Sequence, residues 1–203
     1  HQVYAGVGRL SGVLPGVGDR MKVICFGDSN TYGYDPRGWL GDRYDEKTRW
    51  VGVLAQKTGW KIVNRGQNGR EIPGAPVPIP GDVDLFIVML GTNDLLQGHR
   101  PEAVSKKMEL FLLRLELTRG KILLVAPPPM KPGEWVPTQE LADDSAVLAG
   151  CYRMLSQRLG VRFVDAGQWE IPLAYDGVHF TEEGHRAFAE GLYQYLRKSY
   201  ELR

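Results

Sequence analysis

An apolar run, Val23-Ile24-Cys25-Phe26, stops abruptly at Gly27-Asp28-Ser29-Asn30-Thr31. This pattern predicts a buried strand ending in a tight turn, with Ser29 at its carboxyl end. Ligands of open α/β sheets lie just beyond such strand ends, so Ser29 is a candidate nucleophile. Asp and Ser also cap turns and helices for local reasons, and that reading stays open for this stretch alone. A serine hydroxyl needs a neighbouring base. Of the four histidines, His1 lies in an atypical leader, His99 precedes a helical segment and His185 falls inside one. His179 differs: it closes Tyr175-Asp176-Gly177-Val178-His179-Phe180, with Asp176 three residues earlier across a Gly-containing turn. Such a turn lets the carboxylate hold one imidazole nitrogen while the other faces a substrate, as the acid does in a Ser-His-Asp triad. A structural Asp turn beside a half-buried His is the alternative. Acyl transfer also needs donors for an oxyanion, and the Ser29 N–H, the backbone of Gly69 and the side chain of Asn93 are candidates.

These residues require elements that bring them together. Strands are predicted over Lys22 to Phe26, Trp60 to Asn64, Val83 to Leu90, Lys121 to Ala126 and Val161 to Val164. Helices are predicted over Arg49 to Thr58, Pro101 to Thr118, Thr138 to Leu159 and from a Thr181 cap onward. Gly27 to Thr48 and Asp165 to Phe180 read as long irregular connections. Glu71 to Asp82, with its four prolines, reads as a surface loop that no helix can cross. The alternation predicts a flavodoxin-like three-layer α/β/α sandwich with a five-stranded parallel sheet of order 2-1-3-4-5. That order sets Ser29, the Gly66–Gly69 turn and Asn93 along one crevice. The last strand lies roughly 14–15 Å from the first at ~4.8 Å per spacing. The connection up to Phe180 can extend ~50 Å, enough to bring His179 back over the strand ends.

Composition narrows the function. The chain has 203 residues, 43% hydrophobic and 24% charged, with a formal net charge of +1. It carries no electrostatic footprint for nucleic acid or an anionic membrane. The apolar runs are of strand length, too short to span a bilayer. Cys25 and Cys151 read as reduced core thiols, and no spacing suggests a metal site. Residues 1–20 are rich in Gly and Val and read as a tag, leader or flexible arm, with Met21 opening a single domain over 21–203. A cytoplasmic protein is expected, free of metal and cofactor, with a homo-oligomer open.

Assembled in order, the blocks Gly27-Asp28-Ser29, Asn64 to Gly69, Gly91-Thr92-Asn93-Asp94 and Asp176-Gly177-Val178-His179 resemble the SGNH hydrolases, the GDSL-type esterase and lipase superfamily. The stretches Thr48-Arg49-Trp50, Asn68-Gly69-Arg70 and Val125 to Pro129 are similar to its arylesterase and acyltransferase branch. The resemblance implies metal-free hydrolysis of short acyl esters through an acyl-enzyme, with transfer to alcohols in some members. It implies Ser29, His179 and Asp176 as the catalytic set and Ser29, Gly69 and Asn93 as the oxyanion hole. Asp28, Asn30, Tyr34, Trp39 and Val178 are expected beside the substrate, with Asp28 and Asp94 also pinning their loops. Tyr32, Trp135 and Trp169 are further candidates for the pocket wall. Asn30 stands where the block usually has Leu, a change expected not to touch the chemistry. The short Glu71 to Asp82 stretch implies an open site. Sugar O-deacetylases, thioesterases and lysophospholipases share the blocks and remain alternatives. So do a metal hydrolase using Asp28, Asp176 and His179, and a flavodoxin-like binding module, although Gly27 to Gly33 lacks a phosphate-loop pattern.

Overall fold

The computed structural model describes Val3–Tyr4, Gly12–Val13, residues 20–38 and residues 42–202. Trp39 and most of the 1–20 segment lie outside the described residues. Val3–Tyr4 and Gly12–Val13 form a two-residue antiparallel ladder.

Five strands form an all-parallel sheet: β1 (Lys22–Gly27), β2 (Lys61–Gly66), β3 (Leu85–Met89), β4 (Ile122–Ala126) and β5 (Arg162–Asp165). Their spatial order is β2-β1-β3-β4-β5, as the alternation predicts. Helices cover both faces, so the central strands are buried on both sides and read as unbroken apolar runs. Successive residues alternate between two cores. Ile24 and Phe26, Phe86 and Val88, and Ile122 and Leu124 face α4 (Pro101–Leu113) and α5 (Gln139–Leu159). Val23 and Cys25, Leu85 and Ile87, and Leu123 and Val125 face α2 (Trp50–Thr58) and α6 (Glu182–Tyr200). Edge strand β2 is more open, with Val63 46% exposed.

Capping follows the side chains. Thr138 Oγ1 accepts from Leu141 N–H at the start of α5, and Thr181 Oγ1 accepts from Gly184 N–H at the start of α6. Glu182 and Glu183 sit at the positive end of α6, and Arg197 and Lys198 at its negative end.

Several boundaries differ from expectation. The stretch after β1 is not wholly irregular, because Asp28 caps a one-turn helix, α1 (Ser29–Tyr32). A second short helix, α3 (Thr92–Leu96), follows β3. One turn is too short to show a periodicity in sequence. Helix α4 stops at Leu113, before Thr118; Leu115 still reaches the core, but through a turn. Cys25 is buried as expected, whereas Cys151 is only half-buried.

Candidate active site

Three of the expected site blocks lie just past the carboxyl end of a strand, and the fourth lies near the end of the connection from β5 to α6. Ser29 opens α1 after β1, Gly69 lies in the turn after β2, Asn93 is in the first turn of α3 after β3, and His179 ends the β5–α6 connection. Side-chain and backbone hydrogen bonds then draw the four together.

Ser29 Oγ lies 2.9 Å from His179 Nε2, and His179 Nδ1 lies 2.6 Å from Asp176 Oδ2. All three residues are buried. Asp176 Oδ1 also accepts the backbone N–H groups of Val178 (2.8 Å) and His179 (2.9 Å). Burial pushes the Asp176 carboxyl up, but the bonds from the His179 ring and these two amides outweigh it and hold it below its ordinary value. An ionised carboxylate only accepts, so the proton sits on Nδ1 and Nε2 is left to accept from the Ser29 hydroxyl. That is the tautomer a general base requires.

A second loop fixes the Asp176 turn. Residues 131–136 run beside it, and the N–H groups of Lys131, Glu134 and Trp135 bond the carbonyls of Gly177 (3.0 Å), Tyr175 (3.2 Å) and Asp176 (3.1 Å). Gly177 has φ +81°, and a Cβ there would stand 2.0 Å from the Lys131 carbonyl oxygen. Neither the conformation nor the space admits a side chain.

On the oxyanion side, the Ser29 N–H occupies the first position of a helix, where no intrahelical carbonyl is available. Gly69 has φ +76° and is exposed, with open space where a side chain would stand. Its loop is tied to the Ser29 turn: Gln67 N–H and Arg70 Nη1 both donate to the Gly27 carbonyl at 3.1 Å. Asn93 Nδ2 donates one proton to the Arg70 carbonyl at 3.2 Å, which leaves its second amide proton. Asp94 is fully buried, accepts from Ile72 N–H and pairs with Lys107; it pins the loop, as expected.

The structure places the other expected substrate contacts differently. Asp28 is a helix cap: its Oδ1 accepts from Asn30 N–H at 3.0 Å, and burial raises its carboxyl to about 6 against the pull of that bond and of His179. Asn30 is buried, with its side chain bonded to backbone rather than open to a ligand. Val178 packs in the core and contributes its carbonyl to Asn30. These three shape the site through protein contacts. Tyr34 does flank the site, its ring centroid 4.7 Å from that of His179, and Trp135 stands edge-on to the same imidazole at 5.1 Å while 49% exposed. Trp169 instead packs on Phe188 and Gly191 of α6, and Tyr32 lies under Arg43, so neither walls this imidazole. Residue type alone did not reveal Arg70, whose guanidinium bonds the Gly27 and Arg65 carbonyls and covers the Phe26 ring.

The model of the GDSL-like lipase/acylhydrolase family matches residues 25–187. The chain belongs to that family. Its fold is similar to the aryl esterase of M. smegmatis (26% identity, TM-score 0.75), covering 88% of this chain and 99% of that one. A carbohydrate acetylesterase family member from Sinorhizobium meliloti is 27% identical, with TM-score 0.74 and coverage of 88% and 98%. A proposed arylesterase from Agrobacterium tumefaciens is 30% identical, with TM-score 0.71 and coverage of 88% and 99%. No curated protein matches the chain. Family and neighbours together make this GDSL-type chain a carboxylic ester hydrolase. Among its described residues, no helix is long and apolar enough to cross a membrane.

Proposed function

We propose that the chain hydrolyses short-chain acyl esters by a metal-independent serine mechanism. The observation that carries this reading is the continuous hydrogen-bonded line from Ser29 Oγ through His179 to Asp176. In the first step Ser29 Oγ attacks the ester carbonyl and His179 Nε2 takes the hydroxyl proton. Asp176 stabilises the imidazolium, and the N–H groups of Ser29 and Gly69 with the free amide proton of Asn93 receive the oxyanion. Collapse expels the alcohol, which takes the proton from Nε2. Water then repeats the sequence against the acyl-serine, giving the acid and free enzyme; an alcohol in place of water gives a new ester. Both Asp176 oxygens are engaged by N–H groups, which disfavours a metal site shared with Asp28.

The rings of Tyr34 and Trp135 beside His179 favour a flat leaving group, because the imidazole delivers its proton to the departing oxygen. An aryl alcohol fits this, and so does a sugar hydroxyl face; the aryl and carbohydrate acetylesterase neighbours mark the same two classes. The test is hydrolysis of p-nitrophenyl acetate by wild type and Ser29→Ala, each with and without a chelator. Activity that survives the chelator and disappears in the variant is expected. A Ser29→Ala protein with near wild-type activity would overturn the assignment.

A further inference from the structure

We infer that Asn30, the residue after the proposed nucleophile, is a positioning residue that sets the reach between Ser29 and His179. The inference rests on the serine-esterase reading above and adds a residue to it.

Asn30 joins two segments 149 positions apart, as read from residues 30 and 179. Its Nδ2 donates to the Val178 carbonyl at 3.0 Å, and its Oδ1 accepts from the Phe180 N–H at 3.0 Å. These groups belong to the two peptide units on either side of the His179 Cα. One side chain therefore grips the backbone before and after the imidazole. Only one amide orientation serves, since a flipped amide would set donor against donor and acceptor against acceptor. The other two groups of these peptide units, around His179 itself, are also held: His179 N–H donates to Asp176 Oδ1, and the His179 carbonyl accepts from Ala174 N–H at 2.8 Å.

Asn30 is fixed in turn. Its N–H donates to the Asp28 cap, and its carbonyl accepts from Trp50 Nε1–H at 2.9 Å. Trp50 is fully buried, and its backbone N–H donates to His185 Nδ1 at 3.1 Å. The turn carrying Ser29 and the loop carrying His179 are thus joined within one residue of the reacting atoms. Asn30 is buried, so no water replaces these bonds when they are removed. A leucine fills similar volume but offers neither donor nor acceptor, and it leaves the Val178 carbonyl and the Phe180 N–H without partners. Relaxation of that segment moves Nε2 away from Ser29 Oγ, and a displacement near 1 Å lowers turnover by about 100-fold.

The experiment compares kcat and KM for p-nitrophenyl acetate in wild type, Ser29→Ala, Asn30→Leu and the isosteric Asn30→Asp. Circular dichroism and Tm identify the folded variants, and assays run well below each Tm. The expected result is a fall in kcat of about 100-fold for Asn30→Leu and at least about 10-fold for Asn30→Asp, with KM within about twofold. A purely structural contact would lower Tm and leave kcat unchanged. If either variant, once folded, keeps more than about a third of wild-type kcat, the proposal fails. Asn30→Asp decides the matter should Asn30→Leu not fold. Ser29→Ala separates the two readings. A fully active Ser29→Ala overturns the nucleophile. An inactive Ser29→Ala beside an active Asn30→Leu overturns the Asn30 proposal alone.

Discussion

At the scale of single residues, what distinguishes the site is how few polar atoms are left unengaged. Asp176 accepts three hydrogen bonds, and the Ser29 hydroxyl faces only the imidazole nitrogen that can take its proton. Asn93 keeps one amide proton clear of its bond to Arg70. That proton is the group available to a developing negative charge, and its value lies in the transition state rather than in substrate binding. Asn93→Ala should therefore lower kcat by roughly 10²–10³-fold and leave KM nearly unchanged. Steady-state kinetics on p-nitrophenyl acetate check this; a loss confined to KM would remove Asn93 from the oxyanion hole.

At the scale of elements, the site depends on loops held by helices they do not belong to. Helix α6 presents His185, fully buried, to the first N–H of α2, and Tyr44 and Phe180 pack edge-on around the ring. Burial, with Arg49 adding to it and Asp35 opposing it, lowers the His185 value to about 3. The folded protein thus keeps this ring neutral in a range where the unfolded chain, with an ordinary value near 6.5, binds a proton. The unfolded state holds more protons between about pH 6.5 and 3, so stability rises with pH across that window and is lost on acidification. By pH 5 the loss is about 2 kcal/mol, from roughly 1.4 kcal/mol per pH unit below 6.5. Buried Asp28, raised to about 6, acts in the opposite sense between about pH 4 and 6 and offsets part of it. His185→Gln should lower Tm at pH 7.5 and flatten the fall in Tm from pH 7.5 to 5. A variant whose Tm falls as steeply as wild type would show that His185 is not the group responsible.

At the scale of the whole molecule, the sheet order sets which loops meet at the site. Strands β2, β1 and β3 are neighbours, so Gly69, Ser29 and Asn93 share one end of the sheet. The loop over residues 71–82 is irregular, with Ile72 buried and Val77 and Ile79 partly buried against the core. These three aliphatic side chains pack on the core rather than facing a long acyl chain. An apolar trough would add about 0.8 kcal/mol for each methylene buried, and kcat/KM would climb steeply with acyl length. We expect no such climb: kcat/KM for p-nitrophenyl esters should be highest for acetyl or butyryl and lower for octanoyl. A tenfold rise from acetyl to octanoyl would point to a lipid ester instead.

The sequence by itself determined the alternation of strands and helices, placed Ser29, Gly69 and Asn93 after strands, and placed His179 just before the last helix. These follow from apolar periodicity, from Gly and Pro breaks and from short motifs, all of which act over a few neighbouring residues. The Thr181 cap was legible for the same reason, whereas Thr138, read as the first helical residue, is the cap of α5. Tertiary structure alone decided the role of Asn30, which reads in sequence as a neutral replacement for Leu and proves to bond the backbone on both sides of His179. It also decided that Trp135 reaches the imidazole while Trp169 packs on α6, although both are tryptophans on loops. It buried His185, which in sequence is marked only as a histidine inside a helical segment. In each case the partner lies far along the chain, and which distant groups meet depends on strand order and loop path rather than on any local preference.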